Sequence, residues 1–249
     1  MLASTLLKTP KLALNATRAF SSAKPSIAGF FNAKSFVIVG ASLHKGALGN
    51  IIAKNFNDNF KGDIYYVNPK GIFSLCFPLI FLGGELFGKK VFKQVSEIPE
   101  GTQGACIAVA AKFAVPAIKD CLAKGVKYIV IVTGGFAESG ADGKAAQKEI
   151  VELAEKYGAR IIGPNCMGIY NPGGVDTLFI APERQGKPGA GPVGCFSQSG
   201  ALGCCLMNKL AGEEHDPWVS KFMSVGNACD VNETDGIKFF TEDEQTKQV

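Results

Sequence analysis

Short apolar runs, each closed by glycine or a turn residue, recur along the chain and alternate with longer stretches of helical period. The runs are "SFVIVG" (35–40), "DIYYVNPKG" (63–71), "GACIAVAA" (104–111), "KYIVIVTGGFAE" (127–138) and "ARIIGPNCMG" (159–168). Their apolar residues are nearly continuous rather than alternating, as in strands buried on both faces of a parallel sheet. Between them lie a helical stretch through "IIAKNF", a helix from about Val115 to Lys124, and "DGKAAQKEIVELAEKYG", which Gly158 stops. Strand and helix in strict alternation predict βαβ units, hence an α/β fold with a doubly wound parallel sheet over residues 29–170. A Pro- and Gly-rich stretch reads as a linker over 171–190. Beyond it, "VGCFSQSGALGCCLMNKLAG" and "VSKFMSVGNACDVNETDGIKFF" each open with a strand and turn into a helix. Residues 191–249 therefore read as an incomplete second α/β domain.

Composition narrows the class. Of 249 residues, 47% are hydrophobic and 19% charged, which fits a chain that buries a core and argues against disorder. The formal net charge of +4 includes no block of like charge, so nucleic acid is not an expected partner. Eight cysteines are scattered without a C-x-x-C pair, so no metal site is expected; they read as small core residues in a reducing compartment. The first 24 residues are different. They hold Lys8, Lys11 and Arg18 among Ser, Thr and spaced Leu, and no acidic residue precedes Asp58. This composition is that of a mitochondrial-type transit peptide, with "RAFSSA" as a cleavage site. The expected location is the mitochondrial matrix or a related organelle, and the positive charge belongs largely to that address.

Candidate chemistry lies at the ends of the strands. Gly40, Gly46 and Gly49 occupy the first strand-to-helix loop, where backbone amides and a helix N-terminus can approach a phosphate. Their spacing departs from G-x-G-x-x-G, and a tight turn without a ligand would look the same. After the second strand a dinucleotide site wants a carboxylate for the ribose hydroxyls. This chain has Asn68, Pro69 and Lys70 there, which suits an extra ribose phosphate, as in CoA or NADP, or a solvated lysine. Ser197 and Ser199 precede a helix from about Ala201, as a phosphate cradle or as an ordinary helix cap.

Taken in order, "VIVGAS", "IYYVNPKG", "IVTGGFAESG", "IIGPNCMGI", "FSQSGALG" and "SKFMSVGNACDV" resemble the CoA-binding, alpha-type part of ADP-forming acyl-CoA synthetases, the acetate-type ligases related to the succinyl-CoA synthetase alpha subunit. The resemblance runs from Ser35 to Lys247 with one interruption. It implies a Rossmann-like domain that binds coenzyme A, with Gly40, Ala41, Ser42, Gly46 and Gly49 around the phosphates and Lys70 near the ribose phosphate. The turns Val109–Phe113 and Thr133–Glu138 would line the rest of the crevice. Asn165 and Cys166 would lie near the reacting end of CoA; on the residues alone, Asn165 closes its own turn and Cys166 is a packed residue. Cys166 is not expected to be a nucleophile, since the CoA thiol fills that role. Ser197, Ser199 and Gly200 would receive phosphate. The resemblance further implies a small carboxylic acid as substrate, and an ATP-grasp beta-type subunit or domain for ATP, ADP and Mg. The family's phosphorylated histidine is expected beyond residue 249; His44 and His215 stand in no matching motif. Two other readings of the residues remain beside it: a non-enzymatic CoA-binding module and an NADP-dependent oxidoreductase.

The interruption is "IFSLCFPLIFLG" (72–83). From Ile72 to Leu82 it is eleven residues long and contains Pro78, too short for a membrane span of about 20 residues. Removing it restores the continuous resemblance "VNPKG–GELFGKKV". It reads as twelve extra residues, from an intron translated in frame or from a genuine insertion.

Overall fold

A computed structural model describes residues 24–69, 84–212 and 218–249. The leader up to residue 23, Lys70, the insertion 72–83 and His215 lie outside the described residues.

The chain runs α1 (Gly29–Asn32), β1 (Ser35–Val39), α2 (Leu48–Asn59), β2 (Asp63–Val67), β3 (Glu85–Leu86), β4 (Lys89–Phe92), β5 (Gly104–Ile107), α3 (Ala111–Ala123), β6 (Tyr128–Ile131), α4 (Ala141–Tyr157), β7 (Arg160–Ile162), β8 (Gly168–Tyr170), β9 (Ala190–Ser197), α5 (Gly200–Ala211), β10 (Val219–Ser224) and α6 (Glu233–Glu242). The first seven strands form one sheet in the order β3-β4-β2-β1-β5-β6-β7, and β8-β10-β9 form a second. Every pair in the first sheet is parallel except β3 with β4. Successive residues of one strand enter opposite cores. Phe36, Ile38, Cys106 and Val130 pack under α2, with Ile52 and Phe56. Val37, Val39, Ile107 and Ile131 pack under α3 and α4, with Ile118, Leu122 and Ile150. Helices on both faces make this the doubly wound α/β sheet expected from the apolar runs. The connection order reverses between β1 and β5, so the loops after these strands open a crevice at their carboxyl ends.

Three elements depart from the expected boundaries. Helix α3 begins at Ala111 rather than near Val115, which puts Phe113 in its first turn instead of in a loop. The antiparallel hairpin β3–β4 extends the sheet through β4, which pairs with β2; its two short strands carry little apolar pattern. The 171–190 connection is not a free tether. Val175, Asp176, Thr177 and Leu178 are buried in it, and Asp176 forms an ion pair with Lys187 at 2.7 Å beside Asn55 of α2. Among the described residues, no helix is long and apolar enough to cross a membrane.

Candidate functional site

The first loop is built around close backbone approach. Strand β1 ends at Gly40 (φ +102°), and α2 begins so near it that a β-carbon on Gly49 would overlap the Gly40 carbonyl oxygen. Asn50 Nδ2 donates to the Ser42 carbonyl at 2.7 Å, and Asn68 Nδ2 donates to the Ala41 carbonyl at 2.8 Å. The Ser42 hydroxyl accepts from the His44 amide at 3.1 Å. Helix α2 has no side-chain cap and no acidic residue in its first turn. Its first amides and the positive end of its dipole are therefore directed at the switch point, an arrangement that suits a diphosphate. Leu43, His44, Lys45 and Gly46 are exposed on this loop.

Across the switch point, Gly40 approaches Ala108 and Val109. The Thr133 hydroxyl donates to the Val109 carbonyl at 2.7 Å, which ties the ends of β5 and β6 together. Phe113 is 45% exposed, and Lys112 Nζ lies 5.0 Å above its ring. The crevice thus brings together Gly40, Ala41, Ser42, Gly49, Val109 and Thr133. Gly46 sits out on the exposed loop.

The second half of the site is a cleft of about 460 Å³ where the turn after β7 meets the second sheet. Asn165, in the left-handed region at φ +56°, and Cys166 line it with Met167, Gln198, Ser199, Gly200 and Asn227. The Asn165 amide donates to the Thr133 carbonyl at 2.9 Å, which fixes this turn against the end of β6. The Cys166 thiol donates to the Ile131 carbonyl at 3.3 Å, and burial pushes its pKa up to about 12. At neutral pH it is a protonated, packed group with little nucleophilic character. Ser199 caps α5, its hydroxyl oxygen accepting from the Leu202 amide at 3.3 Å, and its own proton stays available. The Ser197 proton is committed to the Ser199 carbonyl at 2.8 Å. The cradle therefore consists of Ser199, Gly200 and the first amides of α5.

Residues from both sheets meet above the cleft. Glu138 accepts from the amides of Gly135 and Phe136, and its second oxygen accepts from Asn227 Nδ2 at 2.5 Å. Asn227 Nδ2 also donates to Gln147 Oε1 at 3.0 Å. Partial burial pushes the Glu138 pKa up, but the bonds from Asn227 and the two amides outweigh it and hold the carboxylate low. With both donors spent, Asn227 turns its carbonyl oxygen toward Asn165 Nδ2, 3.5 Å away. Gln147, Gln198, Gly226 and Asn227 were not singled out from the sequence. The signal for Gly226 and Asn227 was the "SVGNACDV" motif, in which the Gly-Asn turn after an apolar strand marks a strand end at a ligand crevice, and that for Gln198 was the "FSQSGALG" motif. Gln147 gave no signal, being one polar residue on a helix.

Two families match in succession: the CoA binding domain over residues 34–172 and the succinyl-CoA ligase like flavodoxin domain over residues 190–249. The alpha subunit of an ADP-forming acetate–CoA ligase (isoform I) of Pyrococcus furiosus is 38% identical over 226 residues, covering 90% of this chain and 46% of that subunit. A crystal structure of a protein from Pyrococcus horikoshii superposes with a TM-score of 0.77 at 38% identity, covering 88% of this chain and 46% of the other. An acetyl-coenzyme A synthetase of Ca. Korarchaeum cryptofilum, solved with phosphate and ADP, gives 0.76 at 32% identity, covering 89% and 44%. The chain thus spans less than half the length of these relatives. With a glycine loop at the switch point of a doubly wound sheet and a family match over most of that sheet, the chain belongs to the CoA binding domain family.

Proposed function

We propose that the chain is the CoA-binding part of an ADP-forming acyl-CoA synthetase, acting on a small carboxylic acid. The observation that carries this reading is a helix N-terminus at each of two adjoining halves of the site, joined where the Asn165 amide donates to the Thr133 carbonyl. That of α2 abuts Gly40, and that of α5 faces the Asn165–Met167 turn. The first suits the CoA diphosphate and the second a phosphate near the reacting end. In the reaction, a phosphate oxygen attacks the thioester carbonyl, the C–S bond breaks, and the CoA thiolate takes a proton. The acyl phosphate then gives its phosphoryl group to a histidine, releasing the acid, and the phosphohistidine passes it to ADP. In this reading Asn165 donates to the acyl oxygen, and Ser199 with the first amides of α5 to the phosphate. The histidine, ADP and Mg belong to further polypeptide and to an ATP-grasp beta-type partner. We also propose that the basic leader directs the protein to a mitochondrion-type organelle, which a fused reporter tests: a cytosolic reporter with intact Met1 overturns it.

The test is calorimetric titration with CoA, dephospho-CoA and NADPH, followed by an assay for acid-releasing ATP formation from acetyl-CoA, ADP and phosphate. CoA is expected to bind and NADPH not to. ATP is expected only when both the further polypeptide that carries the histidine and a beta-type partner are added. NADPH binding without CoA binding overturns the reading, and CoA binding without ATP formation in the reconstituted complex leaves a non-enzymatic module.

A further inference from the structure

Side chains from the turn between β6 and α4, from α4 itself and from the turns after β7 and β10 meet at Asn227. The backbone there is fixed. The Asn227 amide donates to the Pro164 carbonyl at 2.9 Å. A β-carbon on Gly226 (φ +54°) would overlap the Pro164 and Asn165 carbonyl oxygens, so glycine is what lets the two turns come so close. What remains to be set is the direction of each side-chain amide, and Glu138 sets it. One of its oxygens takes the Gly135 and Phe136 amides, and the other faces Asn227. A carboxylate only accepts, so Asn227 must present Nδ2. Gln147 Oε1, which also accepts from the Ala137 amide at 3.4 Å, takes the same Nδ2. The Asn227 oxygen is left facing Asn165, which answers with its own Nδ2. The Asn165 oxygen lies on the other side, where a β-carbon on Gly134 would stand 3.1 Å from it.

We propose that Glu138 is a positioning residue: through Asn227 it sets the direction of the Asn165 amide, so that the cleft presents an N–H donor to the acyl carbonyl oxygen. The proposal rests on the acyl-CoA synthetase reading. Asn165 Nδ2 carries two hydrogens, of which Asn227 takes one, and the second is left for a ligand in the cleft that Asn165 lines. A thioester oxygen only accepts. An amide turned the other way would set oxygen against oxygen and leave both unpaired. CoA without an acyl group has no such oxygen and is indifferent to the turn. Glu138→Gln reverses the polarity at its source. The Gly135 and Phe136 amides still claim the Gln oxygen, so its Nε2 meets Asn227. Asn227 then turns its oxygen to that donor and its Nδ2 to Asn165, and the cleft loses its N–H.

The test titrates the chain with CoA and acetyl-CoA. Asn165→Gly, which tolerates the left-handed backbone, is expected to weaken acetyl-CoA roughly threefold to tenfold and CoA by less than about twofold. Glu138→Gln is expected to do the same, and to add nothing in the Asn165→Gly protein. Adding Asn227→Asp to Glu138→Gln puts a carboxylate between the Gln Nε2 and Asn165 and restores the polarity. It is expected to bring acetyl-CoA affinity back to within about twofold of the parent. CoA binding by each variant shows that it is folded. Equal losses for CoA and acetyl-CoA in Glu138→Gln, an unaltered preference there, a loss that persists in the Asn165→Gly protein, or no recovery in the double variant would each overturn the inference and leave CoA binding in place. Failure of the parent to bind CoA would overturn the reading on which the inference rests.

Discussion

The Arg160 guanidinium at the start of β7 meets the Asp230 carboxylate, 2.9 Å away, after the whole second sheet has been laid down between them in sequence. Both side chains are buried. The same carboxylate accepts from the Ile161 amide at 2.8 Å and from Lys24 Nζ at 2.9 Å, and Arg160 also reaches Asp235 in the capping box of α6. The pair therefore holds the second sheet and α6 to the last strand of the first.

Removing one partner from a buried pair strands the other. Arg160→Met is expected to cost about 3–5 kcal/mol in denaturant unfolding. Adding Asp230→Asn, which keeps an acceptor for the Ile161 amide, should recover part of the loss. Burial raises the Asp230 pKa, but the Ile161, Lys24 and Arg160 contacts outweigh it and hold the carboxyl low. Its stabilisation is thus full above the ordinary carboxylate pKa of about 3.9 and is lost as pH falls through the lower folded value. In the Arg160→Met protein, acid unfolding should begin at higher pH. An unchanged acid midpoint would count against the clamp.

Asn227 makes the opposite experiment possible at the cleft. Glu138 has a lowered pKa, so the wild-type contact is complete above the usual carboxylate range and weakens on acidification. Asn227→Asp places a second carboxylate where an amide donated. Two such groups cannot both stay ionised, so one pKa rises. The variant should lose stability at neutral pH and regain it between about pH 7 and 5, where the parent is flat. Glu138 is exposed, so the effect should stay below about 1 kcal/mol. Thermal melts from pH 7 down to below the carboxylate range show whether the variant gains stability on acidification where the parent is flat and then loses it.

What was legible in the sequence was local. Continuous apolar runs such as 35–39 and 128–131 gave the buried strands, and Gly158 marked the end of α4 through its left-handed C-cap. Gly40 and Gly49 announced a close backbone approach because little else occupies such a loop. The clamp and the amide network were not legible. Arg160 and Asp230 are 70 residues apart, and Glu138 and Asn227 are 89 apart, each an ordinary polar residue in its own neighbourhood. The 171–190 stretch misled because Pro and Gly signal irregular backbone, which can be packed as firmly as a helix. Here Asp176 and Lys187 pack it.

Lys70 follows β2 at the position suited to a ribose phosphate. Lys70→Ala is expected to weaken CoA binding by the worth of a charge-assisted bond, about 1.5–3 kcal/mol or roughly tenfold to a hundredfold. Dephospho-CoA, which lacks that phosphate, should lose little. Equal losses for both ligands in the same calorimetric series would remove Lys70 from the site.

Residues 72–83, which the sequence resemblance reads as extra, lie between two flanks that are fixed. The Asn68 amide donates to the Phe92 carbonyl at 2.9 Å, and the Val91 amide donates to the Gly84 carbonyl at 2.9 Å. Both flanks are thus held by neighbouring residues of β4, one on the β2 side and one on the β3 side. Two strand spacings separate them, about 10 Å. With residues 72–83 removed, Pro69, Lys70 and Gly71 alone would join Asn68 to Gly84. Those four residue steps span up to about 13–14 Å when extended. The shortened loop can therefore close without disturbing β2 or β4, and a shorter loop costs slightly less closure entropy. Deletion should leave the melting temperature and CoA affinity at least as high as in the parent and improve solubility, since a Phe- and Leu-rich segment promotes association wherever it is exposed. A clear drop in melting temperature would show that the segment is part of the core and that the continuous "VNPKG–GELFGKKV" connection is not the functional one.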